Sequence, residues 1–269
     1  MKLREKLAKL LRQPQPARFL LSRLLWHSKL CRLFTINCEP YRLRFYPTAY
    51  SATLWLSPRE RLTDEQFLQG LLQSGDVFID VGANIGTLTL TASKIVGAHG
   101  KVYSIEAHPQ TYEYLLGNLR LNHVQNVTTF NVACGGDNGT ANLTSKAADD
   151  QNVISQAGLR IPMRRLDDLI VDGESQTIAV LKIDVEGYEK FVLEGATQLL
   201  SRVNFVYFES WDEHFERFHY KLSDVVAFLG RFGFEVYSLA GNKVDHDYNS
   251  PICENLLAKN VTRFAARQA

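Results

Sequence analysis

The stretch Asp76-Val77-Phe78-Ile79-Asp80-Val81-Gly82-Ala83-Asn84-Ile85-Gly86 decides how the rest of the chain is read. Val77 to Val81 is a short apolar run of the kind that forms a buried strand. A glycine-bearing turn follows at once, and Thr87 to Val96 has helix-like composition. Strand, tight glycine turn and helix make a nucleotide-binding unit, because the turn lets backbone approach a ligand at the start of the helix. Gly82 and Gly86 stand four apart with Asn84 between them, so the pattern is D-x-G-x-N-x-G and not the dinucleotide G-x-G-x-x-G. Asn84 suits such a turn because asparagine tolerates a left-handed backbone better than other residues with a side chain.

Outward from this unit, strands and helices alternate. Strand 101–106 leads to a helix opened by Pro109 and running to about Asn122, and a third strand covers 127–133. The rhythm breaks over 139–165, where Thr140–Thr144 and Leu159–Arg164 read as short strands around a polar loop. It resumes with strand 178–183, helix 186–200, strand 203–208, a helix near 221–230, and strands 234–239 and 252–258. Repeated β-α units predict a largely parallel sheet with helices on both faces. The last two strands are joined without a helical pattern, which predicts an antiparallel pair. Upstream, Tyr41–Tyr46 and Ala52–Leu56 alternate apolar and polar around Pro47 and read as a hairpin. Thr63–Leu72 reads as a helix with a Thr63-Asp64-Glu65-Gln66 cap.

Two stretches carry the chemistry. Glu106 ends the second strand, 20 residues after Gly86, and an acid there accepts hydrogen bonds from a ribose diol. Lys182-Ile183-Asp184-Val185-Glu186-Gly187-Tyr188-Glu189 sets three carboxylates at the C-terminal end of a core strand, where ligands sit in open α/β sheets. The D-x-G-x-N-x-G turn resembles motif I of the class I S-adenosylmethionine-dependent methyltransferases, with NAD binding as the competing reading. Asp80–Gly86, Glu106, Leu166-Asp167-Asp168, Lys182–Glu189 and Val192-Leu193-Glu194-Gly195-Ala196, in that order, resemble the FkbM-type methyltransferases over about residues 60–240.

The resemblance implies a Rossmann-like α/β fold, a mostly parallel seven-stranded sheet closed by a C-terminal antiparallel hairpin. It implies S-adenosyl-L-methionine as cofactor, received by Asp80, Gly82, Ala83, Asn84, Gly86, Glu106 and Asp184, with Ala133 beside the adenine. The activity it implies is O-methylation of a hydroxyl on a sugar, a glycan or another secondary metabolite. A hydroxyl needs a base as its proton leaves, and Asp184, Glu186 and Glu209 are the candidates. His214 stands behind them, on a charged segment that reads as surface. Asp184 and Glu209 at adjacent strand ends also suit Mg²⁺, without a clear third ligand in the sequence. Each acid has a plainer reading: Asp184 as a helix cap, Glu186 and Glu189 as first-turn acids facing the helix dipole, Asp167 and Asp168 as caps, and Lys182 as a carboxylate's partner. Trp55, Trp211 and Tyr188 are candidates for stacking on a sugar face or, equally, for packing.

The 269 residues divide into a basic helical extension (1–40), a hairpin and helix leading inward (41–75) and the cofactor-binding domain (76–269). Residues 1–35 hold nine Lys or Arg against one acid, Glu5, although the whole chain is only +1. Met1–Leu11 and Ala17–Phe34 have helical spacing, the latter with a stripe of Arg18, Lys29 and Arg32. One reading lays 1–35 on an anionic membrane surface; the other packs it on the domain or on a second subunit. Four scattered cysteines without a C-x-x-C pair give no disulfide framework, argue against a structural zinc site, and point to a reducing, cytoplasmic setting. No apolar run reaches the ~20 residues that span a bilayer, and no signal-peptide pattern opens the sequence. The acidic balance beyond residue 35 and the absence of an Asn/Asp-Pro-Pro-Tyr/Phe tetrapeptide weigh against a nucleic-acid acceptor. A non-catalytic cofactor-binding scaffold, docked through the basic helices, is the alternative.

Overall fold

A computed structural model describes residues 15–144, 152–171, 176–245 and 247–263. The helix expected over Met1–Leu11 lies outside them. Helix α1 (Pro16–His27) starts on a proline, suited to a first turn by its fixed φ and missing N–H. The expected helix to Phe34 is interrupted at Lys29, which is left-handed at φ 59°, and a 3₁₀ turn follows over Leu30–Leu33. Leu25 and Ser22 are buried against the domain, and the Arg18 guanidinium lies 5.2 Å from the Trp55 ring centre. Leu20, Leu21, Leu24, Leu30 and Leu33 remain exposed. No helix among the described residues is long and apolar enough to cross a membrane.

The expected hairpin is shifted upstream. Strand β1 (Thr35–Asn37) pairs antiparallel with β2 (Arg42–Arg44), and Ala49–Leu56, half of which read as a strand, is helix α2. Thr48 decides this locally: its Oγ1 accepts from the Ser51 amide at 3.1 Å and caps the helix. Five alternating residues do not distinguish strand from helix once a cap is available. Trp55 then stacks on Phe45, ring centres 4.9 Å apart, so it packs and is no sugar platform. Helix α3 (Leu62–Leu71) continues from a 3₁₀ turn over Pro58–Arg61, so Thr63 is inside it and caps nothing. Its two acids point elsewhere: Glu65 pairs with Arg61 at 3.2 Å, and Asp64 Oδ1 accepts from the Tyr207 hydroxyl at 2.5 Å.

The core then runs β3 (Val77–Val81), α4 (Thr87–Val96), β4 (Lys101–Ile105), α5 (Pro109–Leu121) and β5 (Val127–Phe130). A small sheet interrupts it: β6 (Ala133–Cys134), β7 (Gly139–Leu143), β8 (Ile154–Ser155) and β9 (Leu159–Arg164), in the order β6-β9-β7-β8. Ala133 therefore does not end the third strand. That strand stops at Phe130, and Ala133 pairs with Met163 in the small sheet. After the short helix α6 (Leu166–Leu169) come β10 (Ile178–Ile183), α7 (Glu189–Glu194), β11 (Val203–Ser210), α8 (Asp212–Arg217), α9 (Leu222–Gly230), β12 (Phe234–Ser238) and β13 (Glu254–Asn260). The single helix expected over 186–200 is a loop, the six-residue α7 and a 3₁₀ turn at Leu199–Arg202. Asp167 anchors that turn, accepting from the Leu199 amide at 2.9 Å.

The main sheet has seven strands in the order β12-β13-β11-β10-β3-β4-β5. Contacts from β11 to β5 are parallel, and β13 is antiparallel to both its neighbours. This is the Rossmann-like class I methyltransferase order. Strands β3 and β10 are buried along their whole length, as parallel strands covered on both faces require. The chain reverses its winding between β3 and β10, so the loops after these strands open onto one crevice, the position at which such sheets bind ligands.

Candidate active site

Two buried charges underlie the crevice. Lys182 on β10 lies directly across from Asp80 on β3, with Nζ 3.3 Å from Asp80 Oδ1 and 3.5 Å from Asp184 Oδ2. The same ammonium donates to the Gly82 carbonyl at 2.9 Å, which fixes the glycine turn to the neighbouring strand. Burial works against the lysine's charge, but Asp184 and Asp80 outweigh it and hold its pKa above the ordinary value. Asp80 is fully buried and takes a second bond from Thr89 Oγ1 at 2.6 Å, on α4. Lys182 is thus a carboxylate's partner, and Asp80 is satisfied by Lys182 and Thr89.

The turn itself leaves no room for side chains. Gly82 has φ 79°, and a Cβ there would collide with the Asp184 carbonyl, so the two strand-end loops touch. Asn84 is left-handed at φ 50°, as its residue type foretells. Its amide donates to Glu106 Oε2 at 2.9 Å, and the His108 amide donates to Glu106 Oε1 at 2.8 Å. Burial raises the Glu106 carboxyl to about 7 against these two amides. Gly86 forms the N-cap of α4 with φ 92°.

Two chambers meet here. The first, of about 760 Å³, is walled by Gly82, Glu106, Ala133, Asp184 and Tyr188. The second, of about 1430 Å³, is walled by Asp80, Ala83, Lys182, Glu209, Trp211 and His214. Gly82, Asn84, Asp184 and Glu186 line both, so they form the shared wall. The Asp184 side chain is 41% exposed, which leaves its carboxylate within reach of a bound molecule. Burial raises its pKa to about 6, opposed by Lys182. Asp184 does not cap a helix, because α7 begins five residues later.

The structure corrects two sequence expectations in the second chamber. His214 is buried, only 7% exposed, with its ring over Trp211 at 4.3 Å between centres. Its Nε2 lies 3.6 Å from Glu186 Oε2 and its Nδ1 lies 3.5 Å from Glu209 Oε2. Glu189, one of the three clustered carboxylates, faces away from both chambers and braces the loop from below. It accepts from the amides of Val185 (3.0 Å) and Gly187 (3.2 Å) and from the Tyr220 hydroxyl (3.3 Å). Glu186 is outside the helix, left-handed at φ 59°. Burial alone would raise Glu209, yet nearby His214 and the Cys253 thiol, which donates to its Oε1 at 3.0 Å, hold it below the ordinary range.

Tyr50, Asp64, Arg217 and Cys253 also line the second chamber, and the sequence marks none of them as site residues, Asp64 standing only in a helix-cap pattern. They come from α2, α3, α8 and the approach to β13, elements far apart in the chain. The apolar–polar rhythm that locates the elements says nothing about which of their side chains converge.

The chain is 30% identical over 145 residues to the hexuronic acid methyltransferase AglP of Haloferax volcanii, covering 51% of this chain and 56% of that protein. It is 28% identical over 145 residues to a protein-L-isoaspartate O-methyltransferase of Caenorhabditis elegans, covering 54% and 64%. In both cases the match spans less than two thirds of the relative's length. Among solved structures, a methyltransferase FkbM from Methylobacillus flagellatus superposes with a TM-score of 0.49 at 19% identity, covering 77% of this chain and 52% of that one. The FkbM methyltransferase domain model matches residues 80–236, from Asp80 on β3 to Val236 on β12. The chain thus belongs to the FkbM methyltransferase domain family, whose methyl donor is S-adenosyl-L-methionine.

Proposed function

We propose that the protein transfers a methyl group from S-adenosylmethionine to a hydroxyl of a sugar or glycan. The observation that carries this is the shared wall: one accessible carboxylate, Asp184, faces both the chamber beside Glu106 and Ala133 and a larger polar one. The first chamber fits the donor. Glu106 offers carboxylate oxygens at the tip of β4 for a ribose diol, Gly82 keeps backbone close to the ligand, and Ala133 leaves space for a ring. Bound there, S-adenosylmethionine supplies an electrophilic methyl on a sulfonium.

The chain's own residues supply position and a base. Methyl transfer is an in-line displacement, so holding the acceptor oxygen against the methyl supplies much of the rate. Asp184 takes the hydroxyl proton: its raised pKa, about 6, brings it nearer to working pH than an ordinary aspartate. Lys182, with Asp80 behind it, fixes the position of Asp184. Glu186 and Glu209 make the wall of the second chamber polar, and Trp211 offers an aromatic face. Sugar specificity rests on this polar, carboxylate-rich wall and on likeness to a hexuronic acid methyltransferase.

The test is a labelled-methyl transfer screen over uronic acids, neutral sugars, glycans and hydroxylated metabolites, read by mass. A methylated sugar hydroxyl is the expected product. Transfer confined to carboxyl, nitrogen or carbon acceptors would contradict the reading.

A further inference from the structure

Glu186, Glu209 and His214 come from three separate elements: the loop after β10, the end of β11 and helix α8. One ligand atom from each lies within 4.8 Å of the others. The contacts between them are not hydrogen bonds in the usual sense. His214 approaches the two carboxylates at 3.6 and 3.5 Å, longer than a charged N–H···O bond. One nitrogen of the imidazole and one oxygen of each carboxylate converge closely enough to reach a single ion. A second observation agrees: His214 Nδ1 is buried and faces Glu209 Oε2 at 3.5 Å without making a hydrogen bond. A buried polar atom left in that state is unfavourable unless something satisfies it.

We propose that Glu186, Glu209 and His214 bind a first-row divalent cation of the Mn²⁺ or Zn²⁺ type at the floor of the second chamber. One imidazole among two carboxylates favours such an ion over Mg²⁺, which prefers oxygen ligands alone. The surroundings hold the donors in place. Cys253 donates to the other oxygen of Glu209, Trp211 packs on the imidazole, and the bracing of the loop by Glu189 sets Glu186. The Glu186 and Glu209 side chains stay 21% and 17% exposed, so the ion faces the chamber with positions open to oxygen ligands.

The role of the ion rests on the proposed O-methylation. An acceptor hydroxyl bound to it loses its proton more readily. That proton passes to Asp184, the oxygen forms the new C–O bond, and the sulfonium carbon–sulfur bond breaks to leave S-adenosylhomocysteine.

The test needs no acceptor. The full chain, stripped with EDTA, is titrated with MnCl₂ while the free-ion EPR signal is followed, and S-adenosylhomocysteine binding is measured in parallel without metal. One Mn²⁺ per chain is expected, weakened at least about tenfold in His214→Gln and in Glu209→Gln, with MgCl₂ competing poorly. The unliganded melting temperature of each variant shows whether it is folded, and Glu209→Gln, at a partly exposed position, serves if the buried histidine change unfolds the protein. Absence of Mn²⁺ binding up to millimolar concentration, or binding unchanged in a folded variant, would overturn the site; His214 would then be a ring packed between two carboxylates. Retained S-adenosylhomocysteine binding beside that result removes the metal alone. Loss of S-adenosylhomocysteine binding removes the donor reading whatever the metal does.

Discussion

Lys182 and Asp80 occupy facing positions on adjacent parallel strands, and the lysine ammonium also holds the Gly82 carbonyl at 2.9 Å. A buried ion pair is thereby tied to the backbone of the Gly82 turn. Removing one partner leaves the other charge uncompensated in the core, which typically costs about 3–5 kcal/mol. Lys182→Met is expected to lose stability of that order in urea denaturation and to weaken S-adenosylhomocysteine binding in the remaining folded protein. A loss near zero would show that the pair does not hold the turn.

Glu106 gives a pH prediction with a definite sign. Its carboxyl, raised to about 7 by burial, is still largely protonated a unit below that. A ribose diol donates to the ionised form, so affinity for S-adenosylhomocysteine should strengthen as pH rises through about 7. In the free protein the native state binds more protons than the unfolded chain between the ordinary carboxylate range and about 7, so this group lowers folding stability as pH climbs through that window. Ligand-induced gains in melting temperature should therefore be largest above it. Calorimetric titrations at several pH values check both, and Glu106→Gln should flatten the dependence.

Much of this was legible in the sequence, and the reason is positional. Asp80, Glu106, Asp184 and Glu209 lie at or beside the C-terminal ends of strands, and a parallel sheet gathers those ends at one crevice whatever the details of packing. Gly82 and Asn84 were legible because backbone with positive φ restricts residue type. His214 was misread as surface because α8 folds back over the Glu186–Gly187 loop, and a contact between segments 27 residues apart leaves no trace in local pattern. Ala52–Leu56 was misread because a side-chain cap at Thr48 outweighed a short alternation. Glu189 shows the limit of motif reading: it shares a cluster with Asp184 and Glu186 but turns inward as a brace.

That brace is testable. Glu189 is raised to about 8 by burial, so at neutral pH it is mostly uncharged and takes part as a hydrogen-bonding group. Glu189→Gln should be nearly neutral for stability. Glu189→Ala, which strands the Val185 and Gly187 amides, should cost about 1–3 kcal/mol in chemical denaturation. Equal losses in the two variants would contradict a hydrogen-bonding role.

Close approach at Gly82 predicts a sharper effect. Gly82→Ala sets a Cβ against the Asp184 carbonyl at a φ that alanine disfavours, so the two loops must part. S-adenosylhomocysteine binding should fall by at least about tenfold, the ratio that ~1.4 kcal/mol represents. Gly70→Ala, on α3 with open space around it, serves as the control and should bind as the parent does.

The central claim is that Asp184, on the wall shared by both chambers, is the base for methyl transfer. Asp184→Asn keeps the shape of the wall and removes the proton acceptor. With an acceptor identified by the methyl-transfer screen, single-turnover transfer should drop by about 10²–10⁴-fold while S-adenosylhomocysteine affinity stays within a few fold of the parent. Full activity in Asp184→Asn, or a fall in turnover matched by an equal loss of cofactor binding, would contradict the account.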